Sequence, residues 1–451
     1  MSEPMDVVIK GGLVVNGSGV FSADVGLRGE KIVAVAPDLD TSQTKKIIDA
    51  SGKYVFPGLF DVHTHPVYTD DMGGTSTVAA FGGITTLIHY AYVKPGQKVI
   101  PMLEQTRDEG LQKSVLDFGL HAGLFDVEHQ LADVPAAFKM GITSLKVFLT
   151  YAKLKWMTDD YWFSALADVV AQERGLTMIH AENGLVTDYL EDKMLREKRD
   201  PVKHFMWVRP DKMEAEAINR AMMVAQTFGS ALYVVHNSAG ACLEPLRRAQ
   251  AMGWKVIGET CPQYLTLDDE TTQKYKAQAK MGPPLRTKQD NEMLWQGLAD
   301  GTLSTIASDH APKVKKVDDD FFAAPYGGPQ TESMFTMVYH EGVNNGRITL
   351  PRLIQAMSEN PAKIWGLFPQ KGIIAAGSDS DIVIFDPAQR WTISAANQHS
   401  GAGFTLYEGR EVMGKVTATM QRGQMILEDG KIVAKPGSGK FLRTDTSHFY
   451  K

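Results

Sequence analysis

The fold class predicted by the sequence is α/β: a (β/α)8 barrel carrying a small β-sandwich built from both chain ends. Three observations predict it. From about residue 54 to 370, eight apolar strand-like runs alternate with helix-like stretches, the pattern of a parallel sheet covered by helices. The segments before and after read instead as short strands separated by glycine turns. Side chains suited to binding metals or protons recur at the ends of the runs, where such barrels keep their functional residues.

In chain order, MDVVIKGG, LVVNGSG, DVGLRG and KIVAVAP read as strands with NG and GEK turn signals between them. The eight runs follow: YVFPGLFDV, ITTLIHY, DFGLHAGLF, SLKVFLT, LTMIH, LYVVH, WKVIGE and LSTIAS. A typical intervening helix spans 159–174, with aspartates at its start and Gly175 as its stop. The stretch 182–230 is expected to carry two helices and an insertion, and the charged VKKVDDD at 314–320 to be a solvated loop. SDIVIFDP, KVTATMQRG and MILEDGKIVA come last, with Asp429-Gly430 suited to a two-residue hairpin turn. Neither terminal segment can bury both faces of a sheet alone. Residues 1–53 and 371–451 are therefore expected to pair into one β-sandwich domain beside a barrel domain at 54–370.

A chain of 451 residues has room for both units. Its net charge of −6, without a lysine- or arginine-rich block, gives no reason to expect nucleic acid or an anionic membrane surface as partner. No apolar run approaches the roughly 20 residues of a membrane span, and the start lacks a basic segment followed by an apolar core, so a cytoplasmic protein is expected. Cys242 and Cys261 make no disulfide framework, and Cys261 reads as a buried hydrophobe rather than a nucleophile.

The chemistry begins in YVFPGLFDVHTHP. Strand side chains alternate faces, so His63 and His65 point the same way, and two neutral imidazoles then converge as a metal needs. The pair alone fits two hydrogen-bonded surface histidines equally well. Lys146 lies in the fourth run, His180 closes the fifth, His236 the sixth and Asp309 the eighth. Six ligand-type residues from five strand ends favour a metal cavity. His89 and His121 read as packing residues, and His310 should point away from Asp309. Lys146, between Leu145 and Val147, is heading for burial, where an unpaired ammonium is costly. A Schiff-base lysine, an ion-paired lysine and a carbamylated lysine all remain open.

The ordered set GLFDVHTHP, SLKVFLTY, IHAEN, VVHNSAG, GETCPQYL, MGPPLR and ASDHAP resembles the amidohydrolase superfamily, specifically its hydantoinase and dihydropyrimidinase family of cyclic amide hydrolases. The likeness runs over nearly the whole chain, including GSDSDIVIFDP. It implies a metal-bearing barrel with a terminal β-sandwich. By this resemblance His63, His65 and Asp309 bind the more buried of two divalent ions, His180 and His236 bind the more exposed one, and N6-carboxylated Lys146 bridges them. It further implies zinc among the metals such ligands accept, a metal-bridging hydroxide as nucleophile, Asp309 as proton carrier, and Tyr151 as donor to the developing oxyanion.

The family typically has a serine in SPPLR and an asparagine in a PNG motif, both meeting the cyclic amide through backbone groups. This chain has Gly282 and Tyr326 there. Tyr68, Trp156 and Met157 are expected near the substrate's exocyclic group. The implied reaction opens a hydantoin or dihydropyrimidine to an N-carbamoyl amino acid. The alternatives are the same machinery on allantoin, dihydroorotate or another lactam, and a non-catalytic scaffold, although such scaffolds lose ligands that this chain keeps. A homo-oligomer, dimer or homotetramer, is implied too, with the tail GKFLRTDTSHFYK as contact arm.

Overall fold

A computed structural model describes residues 4–451. Its centre is an eight-stranded sheet of Leu59–Thr64, Ile84–Val93, Asp117–Leu124, Ser144–Phe148, Leu176–His180, Ala231–Val234, Val256–Thr260 and Leu303–Ile306, neighbours in that order. Every adjacent pair is parallel. The chain just beyond the eighth strand closes the ring: His310 N–H donates to His63 O at 3.2 Å, and His65 N–H donates to His310 O at 2.9 Å. Both faces of such a sheet are covered, which is why its strands read as unbroken apolar runs rather than alternating ones.

The helix Asp160–Gln172 shows how the outer ring is fixed. Asp159 caps it by accepting from Trp162 N–H at 3.0 Å, and Phe163, Leu166, Ala167 and Val170 are buried at helical spacing. Each large apolar side chain so buried contributes roughly 2 kcal/mol. The stop differs from expectation. Arg174, not Gly175, takes the left-handed conformation (φ 61°), while a Cβ on Gly175 would sit 2.1 Å from the Phe138 ring, so this glycine serves close packing. Between the fifth and sixth strands lie two full helices, Gly184–Arg196 and Asp211–Thr227, and an insertion that carries the single turn Phe205–Val208.

The first expected run divides. Leu59–Thr64 enters the barrel, but Tyr54–Pro57 pairs with Leu13–Asn16 and with Ile382–Ile393 in a seven-stranded sheet drawn from both chain ends. A four-stranded sheet of Lys31–Ala36, Asp24–Arg28, Val7–Lys10 and Lys46–Asp49 packs against it through Ile9, Val25, Leu27, Ile382 and Met420. Asp429 and Gly430 both have positive φ, as a two-residue hairpin turn requires.

Two segments carry detail beyond expectation. The tail GKFLRTDTSHFYK lies along its own barrel. Phe118 N–H donates to Lys440 O and Phe118 O accepts from Leu442 N–H, and the Tyr450 hydroxyl donates to Gly175 O at 2.8 Å and accepts from Ala231 N–H at 2.9 Å, closing the end where the strands begin. Within 314–320, Lys315 is buried, because its ammonium reaches Gly327 O inside the loop. Among the described residues no helix is long and apolar enough to cross a membrane.

Candidate metal centre and active site

The ends of the strands opposite that tail carry the site. His63 lies in the first strand with His65 just beyond, Lys146 is in the fourth, His180 ends the fifth, and His236 and Asp309 follow the sixth and eighth. All six line one cavity of about 300 Å³, together with Tyr151, Gly282 and Tyr326. The six candidate ligands and the three residues expected to meet the amide are thus brought to one place. His236 (φ 38°), Asp309 (φ 53°) and Tyr151 (φ 65°) take left-handed backbone conformations, uncommon for such residues and typical of functional sites.

Hydrogen bonds fix the imidazoles. His63 Nδ1 is 2.7 Å from Glu259 Oε1, and a carboxylate can only accept, so the proton sits on Nδ1 and Nε2 keeps its lone pair. That Nε2 is buried, has no hydrogen-bond partner, and lies 3.2 Å from Asp309 Oδ1. The Nε2 lone pair of a neutral imidazole facing a carboxylate is an arrangement that a cation, proton or metal, relieves. His65 Nε2 is 2.9 Å from the same oxygen, with the Tyr92 hydroxyl 2.8 Å from its Nδ1. These three ligand atoms lie within 4.8 Å of one another. On the other side, Glu182 Oε2, 2.7 Å from His180 Nε2, places the proton there and turns Nδ1 toward His236 Nε2 at 3.1 Å.

Electrostatics agree with a donor set built for metal. Burial pushes His65 down to about 4 and takes His180 and His236 well below the ordinary histidine value, so these imidazoles are neutral. Burial also works against protonation of His63, but the carboxylates of Glu259 and Asp309 raise its proton affinity, the mark of a strong donor. For Asp309 burial pulls upward, and His63 and His65 nevertheless hold it well below the usual carboxylate range. Burial pushes Lys146 down to about 8 against the attraction of Asp309 and Glu259. Among the described residues nothing hydrogen-bonds or ion-pairs with its ammonium, which lies 4.9 Å from the Tyr90 ring centre. The residues present fit divalent ions.

Tyr151 stays protonated. Burial raises its phenol well above the ordinary value although the Arg209 guanidinium, 5.3 Å from the ring, pulls the other way. Arg209 itself pairs with buried Glu182. Tyr68 and Trp156 line the cavity wall as expected, whereas Met157 is not among its lining residues. His89 and His121 are packed away, His89 Nδ1 against Thr64 Oγ1 at 2.6 Å and His121 Nε2 against Val62 O at 2.9 Å. His310 turns from the cavity to Asp70 at 3.0 Å. Cys261 is buried and burial raises its thiol well above the ordinary value, as suits a hydrophobe.

Sequence reading missed the groups that orient the ligands: Glu259, Glu182 and Tyr92. A signal was there for Glu259, an acid inside the apolar run WKVIGE, since such an acid must be paired when buried.

Residues 170–426 match the profile of the Amidohydrolase family. The chain is 37% identical to a D-hydantoinase of Geobacillus stearothermophilus, over 97% of this chain and 96% of the relative. It superimposes with TM-score 0.93 on the crystal structure of a dihydropyrimidinase from Brevibacillus agri NCHU1002, 35% identical over 97% and 98% of the two chains. An L-hydantoinase (dihydropyrimidinase) structure from Arthrobacter aurescens is 28% identical with TM-score 0.92, over 97% of this chain and 100% of that one. With its barrel, its clustered ligands and this full-length likeness, the chain belongs to the amidohydrolase family, in its hydantoinase and dihydropyrimidinase branch.

Proposed function

We propose that the protein is a dinuclear metal-dependent hydrolase that opens a cyclic amide or imide ring of hydantoin or dihydropyrimidine type, giving an N-carbamoyl amino acid. The observation that carries this reading is the convergence of four histidines and Asp309 around a buried, unpaired Lys146, in a chain similar to D-hydantoinases over its length. His63, His65 and Asp309 would hold one ion and His180 and His236 the other, with Lys146, once N6-carboxylated, completing the donor set; zinc is the proposed metal. When bound, the pair supplies Lewis acidity and acidified water.

The protein's own groups do the rest. Asp309 takes the proton released as water attacks the ring carbonyl and passes it to the departing ring nitrogen. Tyr151 donates its phenolic proton in a hydrogen bond to the carbonyl oxygen as that oxygen gains charge. Backbone groups at Gly282 and Tyr326 orient the amide. Glu259, Glu182 and Tyr92 keep the imidazoles in their binding tautomers.

The proposal keeps a terminal β unit (1–53 with 371–451) and a hydrolase barrel (54–370), with Tyr54–Pro57 lending its strand to the terminal unit. It places the protein in the cytoplasm as a dimer or tetramer, a mass that light scattering reads directly. The functional test is ring opening of hydantoin and dihydrouracil by native protein of known metal content, beside His63→Ala and Lys146→Ala. Turnover lost in both variants is expected; full activity in both would sink the reading.

A further inference from the structure

Three lysines surround the loop 321–327 at one side of the site, Lys313 on the cavity wall and Lys280 and Lys315 behind it. Lys280 Nζ donates to Phe322 O at 2.9 Å and Ala324 O at 2.8 Å, Lys315 Nζ to Gly327 O at 2.6 Å, and Lys313 Nζ to Tyr326 O at 2.5 Å. Among the described residues none of the three has a carboxylate within ion-pair distance. Elsewhere this protein does supply one: buried Arg209 has Glu182, Arg286 has Glu214, and Lys371 has Asp117 and Asp381. Burial without a counter-charge pushes Lys280 and Lys313 down to about 8, and Lys315, with the other two beside it, to about 7. An uncompensated buried cation is costly, so the wall favours an anion that the protein itself does not provide.

Lys313 is the member of the trio that lines the cavity, beside Asp309 and Tyr68. Its ammonium lies 3.4 Å from the Tyr68 ring centre and gives one hydrogen bond to Tyr326 O, leaving two N–H groups. The acid that acts on it electrostatically is Asp309, whose Oδ1 already faces both His63 and His65. The rest of the wall is largely aromatic, with Phe148, Trp156 and Tyr326 offering surface but no charge.

Resting on the ring-opening reading above, we propose that Lys313, backed by Lys280 and Lys315, is a specificity-determining residue that receives a carboxylate borne on the ring or exocyclic arm of the cyclic amide. The chain then prefers anionic cyclic amides over neutral isosteres. A site that meets a substrate charge with a half-buried cation backed by buried ones discriminates, because the neutral analogue leaves that cation unanswered.

The test measures binding by calorimetry to metal-loaded protein, using a hydantoin with a carboxyethyl arm and its carboxamide isostere, and records ring opening of both separately. Native protein is expected to bind the carboxylate at least about tenfold tighter. Lys313→Met should bring that ratio near unity, and Lys313→Arg should preserve it. A ratio that survives Lys313→Met assigns the preference to the metals and overturns the inference, as does a native preference for the carboxamide. A loop merely damaged by Lys313→Met weakens both ligands alike and leaves the ratio unmoved, which also overturns it. Because the ratio is read from binding, it stands apart from turnover: loss of ring opening with the ratio intact refutes the proposed reaction and not the receptor.

Discussion

Asp309 combines two demands that pull against each other. His63 and His65 keep it ionised in a buried cavity, whereas the proton-carrier role proposed for it requires that it still accept. Asp309→Asn keeps the shape and removes the basic oxygen, so kcat should fall by about 10²–10⁴, measured on protein whose metal content has been counted. Tyr151→Phe should cost about 10²–10³ in kcat, with metal stoichiometry unchanged. Gly282 and Tyr326, the two departures from the family pattern, prove to be neighbours. A Cβ on residue 282 would lie 2.7 Å from Tyr151 Oη and 3.1 Å from the Tyr326 ring, so the glycine makes room for both phenols. Gly282→Ser should therefore lower kcat/KM, and Tyr326→Asn in the same chain should restore part of the loss; strictly additive effects in this double-mutant cycle would show the two positions to be independent. Sequence named both residues but had no means of showing that one fills the space the other vacates.

At the scale of elements, the clustering of the candidate ligands was legible because a parallel barrel leaves two simple marks: unbroken apolar runs and chemistry at their ends. Lys146 was legible because Leu145 and Val147 committed it to the interior. What stayed hidden depended on contacts between distant segments. YVFP looks like the start of the first barrel strand and instead joins the terminal sheet, since only pairing with Ile382–Ile393 distinguishes the two fates. Lys315 looks solvated within VKKVDDD, but its partner is a carbonyl in the following loop. The join between barrel base and terminal sheet rests on a similar long-range set. Lys371 Nζ lies 2.8 Å from Asp117, at the start of the third barrel strand, and 2.6 Å from Asp381, beside the strand Ile382–Ile393, while Arg422 also reaches Asp117 at 3.2 Å. Lys371→Met leaves buried carboxylates short of a cation and should destabilise the protein by about 3–5 kcal/mol, read as a lower urea midpoint. An unchanged midpoint would mean that the join does not depend on this charge.

Across the whole molecule the labour is divided between two ends of one barrel. The tail of the chain and Trp365 fill the end where the strands begin, freeing the opposite end for a cavity whose ligands come from five separate strands. Such a site exists only in the folded chain, so sequence can propose its members from their order and spacing but cannot show the Glu259 or Glu182 contacts that set their protons. In the proposed reaction this cavity holds two metal ions and uses them to open a cyclic amide. That reaction is tested most directly by metal analysis of the purified protein coupled to ring opening before and after chelation. About two divalent ions per chain are expected, with turnover abolished when they are removed and recovered when they are returned. Undiminished ring opening by the metal-free protein would contradict it.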